Sequence, residues 1–455
     1  MPILPIDSGR YGSNEIRIIF EEENRLRYQL NFEAQVALSQ GKLRMIPLKA
    51  SREIARIARS NKITTTKIKE LESISEHDTA SLVQAISEYC SPITRPWIHY
   101  GLTSNDVVDT STSMQLKDAF KVIEPKIFKL ISLLINRVRK YDLLPSVGRT
   151  HGQHASIISF GLKFAIWANE LSYHIERIEE GKKRFLLCKT LGVVGTGSLM
   201  GSKALDVQDK VAKTLGLYSI EAATQVIPRE RLAEVQFIIS LIGSSLDKMA
   251  TEIRNLQRTE IGEVEEPFKK GQLGSSAVPV KRNPIKSERI SSLARILRSF
   301  SNVAQENISL WHERDLSNSA NERFTIPMGI ILLDEMINNM IRVIEGLTVS
   351  SQRILDNINK TKGRIFAEFI LEALVKRGIP RMKAYESIQR VAFETLVDDR
   401  DFKDAIMKDP SIGELLNKNE LKTIFDPNTH LAASTRIIQN VIKRTEKIRK
   451  NYKPN

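Results

Sequence analysis

Apolar residues recur along most of this chain at three- and four-residue intervals, the spacing that lines one face of an α-helix. Phe164, Ala168, Leu171, Ile175 and Ile178 share one such face, and Ile290, Leu293, Leu297, Phe300 and Ala304 share another, with Glu and Lys opposite. The same spacing predicts long helices over about 124–139, 229–257, 329–359 and 431–449. Between 232 and 256 the apolar positions spread further round the helix: Val235, Phe237, Ile238, Ile239, Leu241 and Ile242 cannot all face one side. A helix of that kind needs neighbours on several sides, as in a bundle, and it suits a bundle completed by other subunits. Strand signals are few, and neither a βαβ alternation nor a glycine-rich nucleotide fingerprint is present, so the expected class is all-α. Boundaries fall near 103–106 and 350–359, which divides the chain into 1–105, a bundle over 106–355, and 356–455.

Composition narrows the class. A chain of 455 residues, 41% of them hydrophobic, can bury a large core spread over two or three domains. Residues 1–12 lack a basic start followed by an apolar stretch, and the most apolar runs, such as 330–333, are too short to span a bilayer. The expectation is a soluble, cytoplasmic protein without a membrane partner. Cys90 and Cys188 have no thiol or histidine near them at metal-ligand spacing, so neither a disulfide nor a structural zinc is expected. The net charge of +14 is spread along the chain, with a local excess over 443–453. Nucleic-acid binding calls for basic residues gathered on one face with stacking aromatics, and only 6% of residues are aromatic, so no nucleic-acid partner is expected. The charge would also steer in a polyanionic metabolite, or simply solvate the surface.

The richest chemistry lies in residues 274–284, Gly-Ser-Ser-Ala-Val-Pro-Val-Lys-Arg-Asn-Pro. Ser275 and Ser276 offer hydroxyls, Lys281 and Asn283 can hold an anion, and Gly271 and Gly274 can hinge the segment over a substrate. An ordinary turn explains the glycines and prolines, but it has no need of Ser-Ser, Lys and Asn together. Residues 192–203 resemble a phosphate loop at first sight. Their glycine spacing is wrong and Ser202 stands where the lysine belongs, so they read as a turn between helices, near the site. Five of the seven histidines, His77, His99, His151, His154 and His312, sit in polar, glycine-containing or charged strings. A lone histidine is as often structural as functional, and it is the clustering that points to acid–base work. His151 and His154 have helical spacing, but no carboxylate motif accompanies them, which argues against a metal.

These strings resemble the fumarase/aspartase superfamily, whose signature loop is Gly-Ser-Ser-x-Met-Pro-x-Lys-x-Asn-Pro. Thr103-Ser104 after His99, Thr150-His151-Gly152, the Ser-Ser loop and Trp311-His312-Glu313-Arg314-Asp315 occur in the superfamily's order, over roughly residues 10–325. Within it they are most similar to the adenylosuccinate lyase family, through Arg10-Tyr11, Glu76-His77-Asp78, Arg282, and Arg314, Ser319 and Arg323. The resemblance implies a three-domain all-α fold whose central long-helix bundle, with a catalytic loop at 262–284, completes a helical core in a homotetramer. It also implies active sites shared between three subunits, no cofactor or metal, and release of fumarate from adenylosuccinate and from the ribotide SAICAR. By resemblance Ser275 takes the proton, His151 gives one to the leaving nitrogen, and His77 orients the substrate; only the resemblance selects Ser275 over Ser276. Thr103, Ser104, Ser276, Lys281 and Asn283 would hold the succinyl carboxylates, Gln225 would sit beside them and Glu288 would support Lys281. Arg10, Tyr11, Arg314, Ser319 and Arg323 would hold the phosphate and nucleotide, with Asp78, His99 and Arg282 among the binding positions.

The chemistry agrees on independent grounds. Eliminating an amine from a succinyl group removes a proton next to a carboxylate, so aimed donors must hold the charge that develops there, and the leaving nitrogen needs an acid. Val278 and Val280 depart from the pattern's usual Met and the branch's frequent His. Glu76, counted with the binding positions, brings a negative charge where many relatives have Arg. Ser156-Ile157 replaces a common Glu or Thr followed by Pro, a change expected at a helix start. The rival readings are another fumarate-releasing activity, such as argininosuccinate lyase or a carboxymuconate cycloisomerase, and a non-catalytic crystallin-like assembly. The phosphate-suited arginines argue against the first, and the intact Ser275, His151 and Lys281 against the second.

Overall fold

The structure, a computed structural model, describes residues 4–452; Met1 and Lys453, each at the edge of a stretch read above, lie outside the described residues. The chain opens with α1 (Asn14–Phe20), α2 (Glu22–Lys42), α3 (Leu48–Ala58), α4 (Thr65–Ser75) and α5 (Asp78–Glu88). The bundle follows. Its first member, α6 (Ser104–Tyr141), has 38 residues, about 57 Å at 1.5 Å per residue. It begins at Ser104 and not at 124, because the buried positions of its first half include Asp106, Asp109, Thr110, Ser111 and Ser113, which an apolar periodicity passes over.

From α6 the chain reverses through an antiparallel hairpin, β1 (Pro145–Thr150) and β2 (Gln153–Ser159), into α7 (Phe160–Phe185). This corrects two expectations. His151 and His154 are not on a helix, and Ser156-Ile157 lies in β2, before the helix starts at Phe160. Two-residue strands β3 (Leu187–Cys188) and β4 (Tyr218–Ser219) pair on either side of α8 (Ala204–Leu215). Next come α9 (Glu230–Leu256), β5 (Val264–Glu265), α10 (Ile285–Glu306), α11 (Ser319–Gly346) and β6 (Thr348–Val349), which pairs with β5. The helix read over 329–359 is thus two. The chain leaves α11 at Leu347, and Ser350 caps α12 (Ser351–Asn359) by accepting from the Arg353 amide, while apolar spacing continues across the break.

Successive bundle helices run in alternate directions. Lys163 pairs with Glu252 at 2.6 Å near one end of α7 and α9, and Arg184 pairs with Glu234 near the other. One continuous apolar core joins the N-terminal helices to the bundle. The predicted faces hold, with Phe164, Ala168, Leu171, Ile175 and Ile178 all at most 1% exposed. Phe237 and Leu241, one turn apart on α9, remain 40% and 45% exposed, as does Ile166 on α7 at 43%, so part of the bundle's apolar surface is left uncovered by the described residues of this chain. A separate small core, including Ile370, Leu374, Ile388, Phe402 and Ile406, is built by α13 (Ala367–Lys376), α14 (Arg381–Val397), α15 (Phe402–Lys408), α16 (Pro410–Gly413) and α17 (Lys418–Ile424). The last helix, α18 (Ala432–Asn451), returns to the bundle, where Arg444 pairs with Glu176 and stacks 4.0 Å over the Tyr173 ring.

Candidate active site

A cleft of about 370 Å³ opens at one end of the bundle, where the N-termini of α5, α6 and α11 converge on α2. Of the predicted residues, Glu76, His77, Asp78, Ser104, Arg314, Ser319 and Arg323 line it. His77 is the N-cap of α5. Its Nδ1 accepts from the Ala80 amide at 3.2 Å, so the ring hydrogen sits on Nε2, which lies 3.4 Å from Ser104 Oγ. Thr103 caps α6, and its amide donates to Asp106 at 2.8 Å. Asp78 Oδ2 accepts from Arg323 at 3.0 Å, an ion pair spanning the cleft from α5 to α11. Glu76 ends α4 in the left-handed region at φ 51°.

The cleft is also lined by a set of largely buried charges, Asp109, Arg229 and Glu322, that the sequence reading missed. Arg229, 3% exposed, donates to Asp109 at 2.8 Å and stands 3.4 Å from Glu322. Burial raises the Glu322 pKa, with Arg229 opposing the shift. Arg314 donates to Asn105 and, at 3.0 Å, to Gln225 Oε1. Gln225 therefore touches Arg314, while Thr103 and Gln225 border the cleft and do not line it. Arg25 on α2 also lines the cleft, and its guanidinium has no hydrogen-bond or ion-pair partner among the described residues. His99 points elsewhere. Its Nδ1 lies 2.6 Å from the buried Glu33 carboxylate of α2; burial alone would lower its pKa, but Glu33 raises it above the ordinary histidine value.

The expected acid and base lie at the other end of the bundle. Thr150 pairs with Gln153, leaving His151 and Gly152 as a two-residue turn with φ of 52° and 74°. Positive φ at both positions is the type I′ geometry that suits a tight hairpin, and it holds the His151 imidazole out in solvent. Arg149 fixes this hairpin to the root of the 262–284 loop through a two-pronged pair with Glu263, at 2.6 and 3.3 Å. Glu263 is fully buried and also accepts from Asn357 at 2.8 Å. His154, across the strand pair from Arg149, has its pKa lowered by burial and then by that guanidinium.

Within the loop, Ser275 Oγ accepts from the amides of Ala277 and Val278 at 3.3 and 3.1 Å. Asn283 donates to Gly274 O at 2.9 Å, and a Cβ on Gly274 would stand 1.9 Å from Lys281 O, so only glycine lets the loop's two strands come this close. Ser276 and Lys281 are exposed. Arg282 is engaged with Glu265 at 2.8 Å and with the Phe268 ring, and Glu288 sits in the first turn of α10. Arg10 and Tyr11 lie in neither place. The following Gly12 and Ser13 amides donate to Glu335 and Asp334, halfway along α11, and Arg289 reaches Glu335 at 3.7 Å. Arg289 thus shares Glu335 with the Gly12 amide, next in the chain after Tyr11, and sequence reading did not single it out; its place one turn into α10, just after the loop, was the available signal.

Cleft and hairpin are separated by the whole length of α6, and cleft and loop by the 27 residues of α9, about 40 Å. Within one chain the cleft residues and the expected acid and base therefore do not meet. Among the described residues, no group of three His, Cys, Asp or Glu side chains is placed to hold a metal ion.

Family models described as "Lyase" and "Adenylosuccinate lyase C-terminus" match residues 9–297 and 363–441. The chain is 38% identical to an adenylosuccinate lyase of Methanocaldococcus jannaschii, over 97% of this chain and 96% of that one. It is 39% identical to one of Pyrococcus abyssi, over 98% and 99%. Among solved structures it is similar to 3-carboxy-cis,cis-muconate lactonizing enzyme of Pseudomonas putida, with TM-score 0.88 at 26% identity over 98% of this chain and 100% of that one. A fumarate lyase of Mesorhizobium sp. BNC1 matches with the same score and identity over 97% and 100%.

Proposed function

The chain belongs to the adenylosuccinate lyase family of the fumarase/aspartase superfamily, and from that premise we propose that it splits adenylosuccinate into AMP and fumarate, and SAICAR into AICAR and fumarate. The observation that carries the reading is the cleft, where an imidazole N–H, the hydroxyls of Ser104 and Ser319 and the guanidiniums of Arg314 and Arg323 face one small volume. Those are donors for a phosphate and for carboxylates.

Each residue's surroundings suggest its part. Ser275 takes the proton next to the carboxylate: the two amides that already meet its Oγ stabilise the alkoxide that must form, and Lys281 adds charge once the loop closes over substrate. The carboxylate charge that builds up is held by Thr103, Ser104, Ser276 and Asn283. His77 cannot readily act as acid, because its Nδ1 is occupied as a cap and loss of the Nε2 proton would leave an imidazolate; it serves as a fixed donor. That leaves the proton for the departing nitrogen to His151, the exposed imidazole at the hairpin tip. Arg10, Tyr11, Arg314, Ser319 and Arg323 take the phosphate end. Arg323 would then leave Asp78 or share it. Because one chain keeps the cleft apart from the hairpin and loop, the site is assembled from several copies in a homotetramer, whose contacts also cover Phe237, Leu241 and Ile166. A polyanionic substrate that does not cross membranes assigns the work to the cytoplasm.

The test is ultraviolet absorbance of the purified protein with adenylosuccinate, beside Ser275→Ala and His151→Ala. Formation of AMP and fumarate by wild type, and loss of most of that rate in both variants, supports the reading. A tetrameric wild type inert towards adenylosuccinate and SAICAR refutes it.

A further inference from the structure

Residues 189–197, a stretch between α7 and α8 with no chemistry of its own, connect the two anion-holding parts of the cleft. At one end Lys189 and Asp106, both fully buried, pair at 2.5 Å. The same Asp106 carboxylate accepts from the Thr103 amide and, at 3.0 Å, from the Gly192 amide, while Lys189 Nζ also donates to Gly192 O at 3.2 Å. Gly192 is thereby pinned to the turn that presents Thr103 and Ser104. One residue later, Val193 O accepts from Gln225 Nε2 at 3.0 Å, and Gln225 Oε1 accepts from Arg314. Gly195, at φ 77°, then packs so tightly that a Cβ there would stand 2.1 Å from Ala223 O and 2.5 Å from Thr224 O, directly before Gln225.

We propose that this glycine segment, acting with the direct hydrogen bond from Arg314 to Asn105, is a positioning element that sets the spacing between the hydroxyls of Thr103 and Ser104 and the guanidinium of Arg314, and so between the carboxylate and phosphate ends of one substrate. The inference rests on the adenylosuccinate reading, since it needs a ligand anionic at both ends. Its signature follows from fragment joining. AMP carries the phosphate end and fumarate the carboxylates, so each tests one half of the cleft, and adenylosuccinate alone tests the distance between them.

The experiment compares Gly195→Ala with Gly201→Ala. Both introduce a side chain at positive φ, but a Cβ on Gly201 meets nothing within 4 Å. We expect Gly195→Ala to bind AMP and fumarate, measured separately as inhibitors, within about threefold of wild type, and to lose about 100-fold in kcat/KM on adenylosuccinate. Gly201→Ala should keep kcat/KM within about threefold. If Gly195→Ala does not fold, the double variant Asp106→Leu, Lys189→Met removes both buried charges together and takes the shared acceptor from the Thr103 and Gly192 amides, cutting the tie at its other end, with the same split expected. Unchanged kcat/KM, or inhibitor affinities that fall as far as kcat/KM does, overturns the proposal. A wild type inactive on adenylosuccinate overturns the functional reading and this inference with it, whereas an active wild type beside a variant without the split overturns the inference alone.

Discussion

His77 shows how a single side chain can serve fold and site at once. Its Nδ1 satisfies an amide at the start of α5, and its Nε2–H is left for the cleft. Asparagine can still accept from Ala80 but has no ring to reach Ser104. His77→Asn should therefore keep its melting temperature while losing activity, and His77→Ala should lose both, with about 1 kcal/mol of stability gone with the cap; thermal melts beside kinetics separate the two. Arg25 is the complementary case, a half-buried cation in the same cleft as Glu72 and Glu76 with no partner of its own. An anionic ligand is the partner it lacks. Arg25→Ala should raise KM for adenylosuccinate about tenfold and leave kcat within about threefold, the size of one charged contact. His99 acts through stability. Its pKa is raised by Glu33, so the pair's contribution is complete below the ordinary histidine value and is lost as pH rises through the higher folded one. Melting temperature followed from pH 6 to 9 should fall in wild type, and fall less in Glu33→Gln.

At the scale of elements, helices with apolar faces could be read and those with polar buried faces could not. The facing residues of α7 and α10 were legible because hydrophobic burial leaves a period in the sequence. The first half of α6 was not, since Asp106, Asp109 and Thr110 are buried for ion pairs and hydrogen bonds whose partners, Lys189 and Arg229, are far along the chain. The hairpin was hidden differently: Thr150-His151-Gly152-Gln153 holds a type I′ turn, but His is an uncommon first residue for it, and the signal was read as chemistry alone. The loop was legible as a motif, whereas its clamp to the hairpin, Arg149 to Glu263, was not. Removing one partner of that clamp leaves a fully buried carboxylate with Asn357 as company. Arg149→Met should cost about 3 kcal/mol, read from denaturant unfolding, and more than the loss of any exposed ion pair on the bundle surface.

At the scale of the whole molecule, the decisive fact is a length. Ser275 and His151 share one end of a bundle whose α6 alone runs for 38 residues, and the cleft with His77 is at the other. A site that needs all three has to draw on more than one copy, which gives mixing experiments a definite arithmetic. On the proposed shared site, Ser275→Ala and His151→Ala should each be inactive alone. If serine and histidine at one site come from different copies, subunits of the two variants unfolded together and refolded as an equal mixture should regain about a quarter of wild-type activity, the chance that a site draws an intact serine from one copy and an intact histidine from another. If both come from the same copy, every site in the mixture lacks one of them and no activity returns. Sedimentation of the refolded mixture as a tetramer makes the second outcome a statement about which copies supply the groups, because assembly has then succeeded and only the sharing of the site has failed.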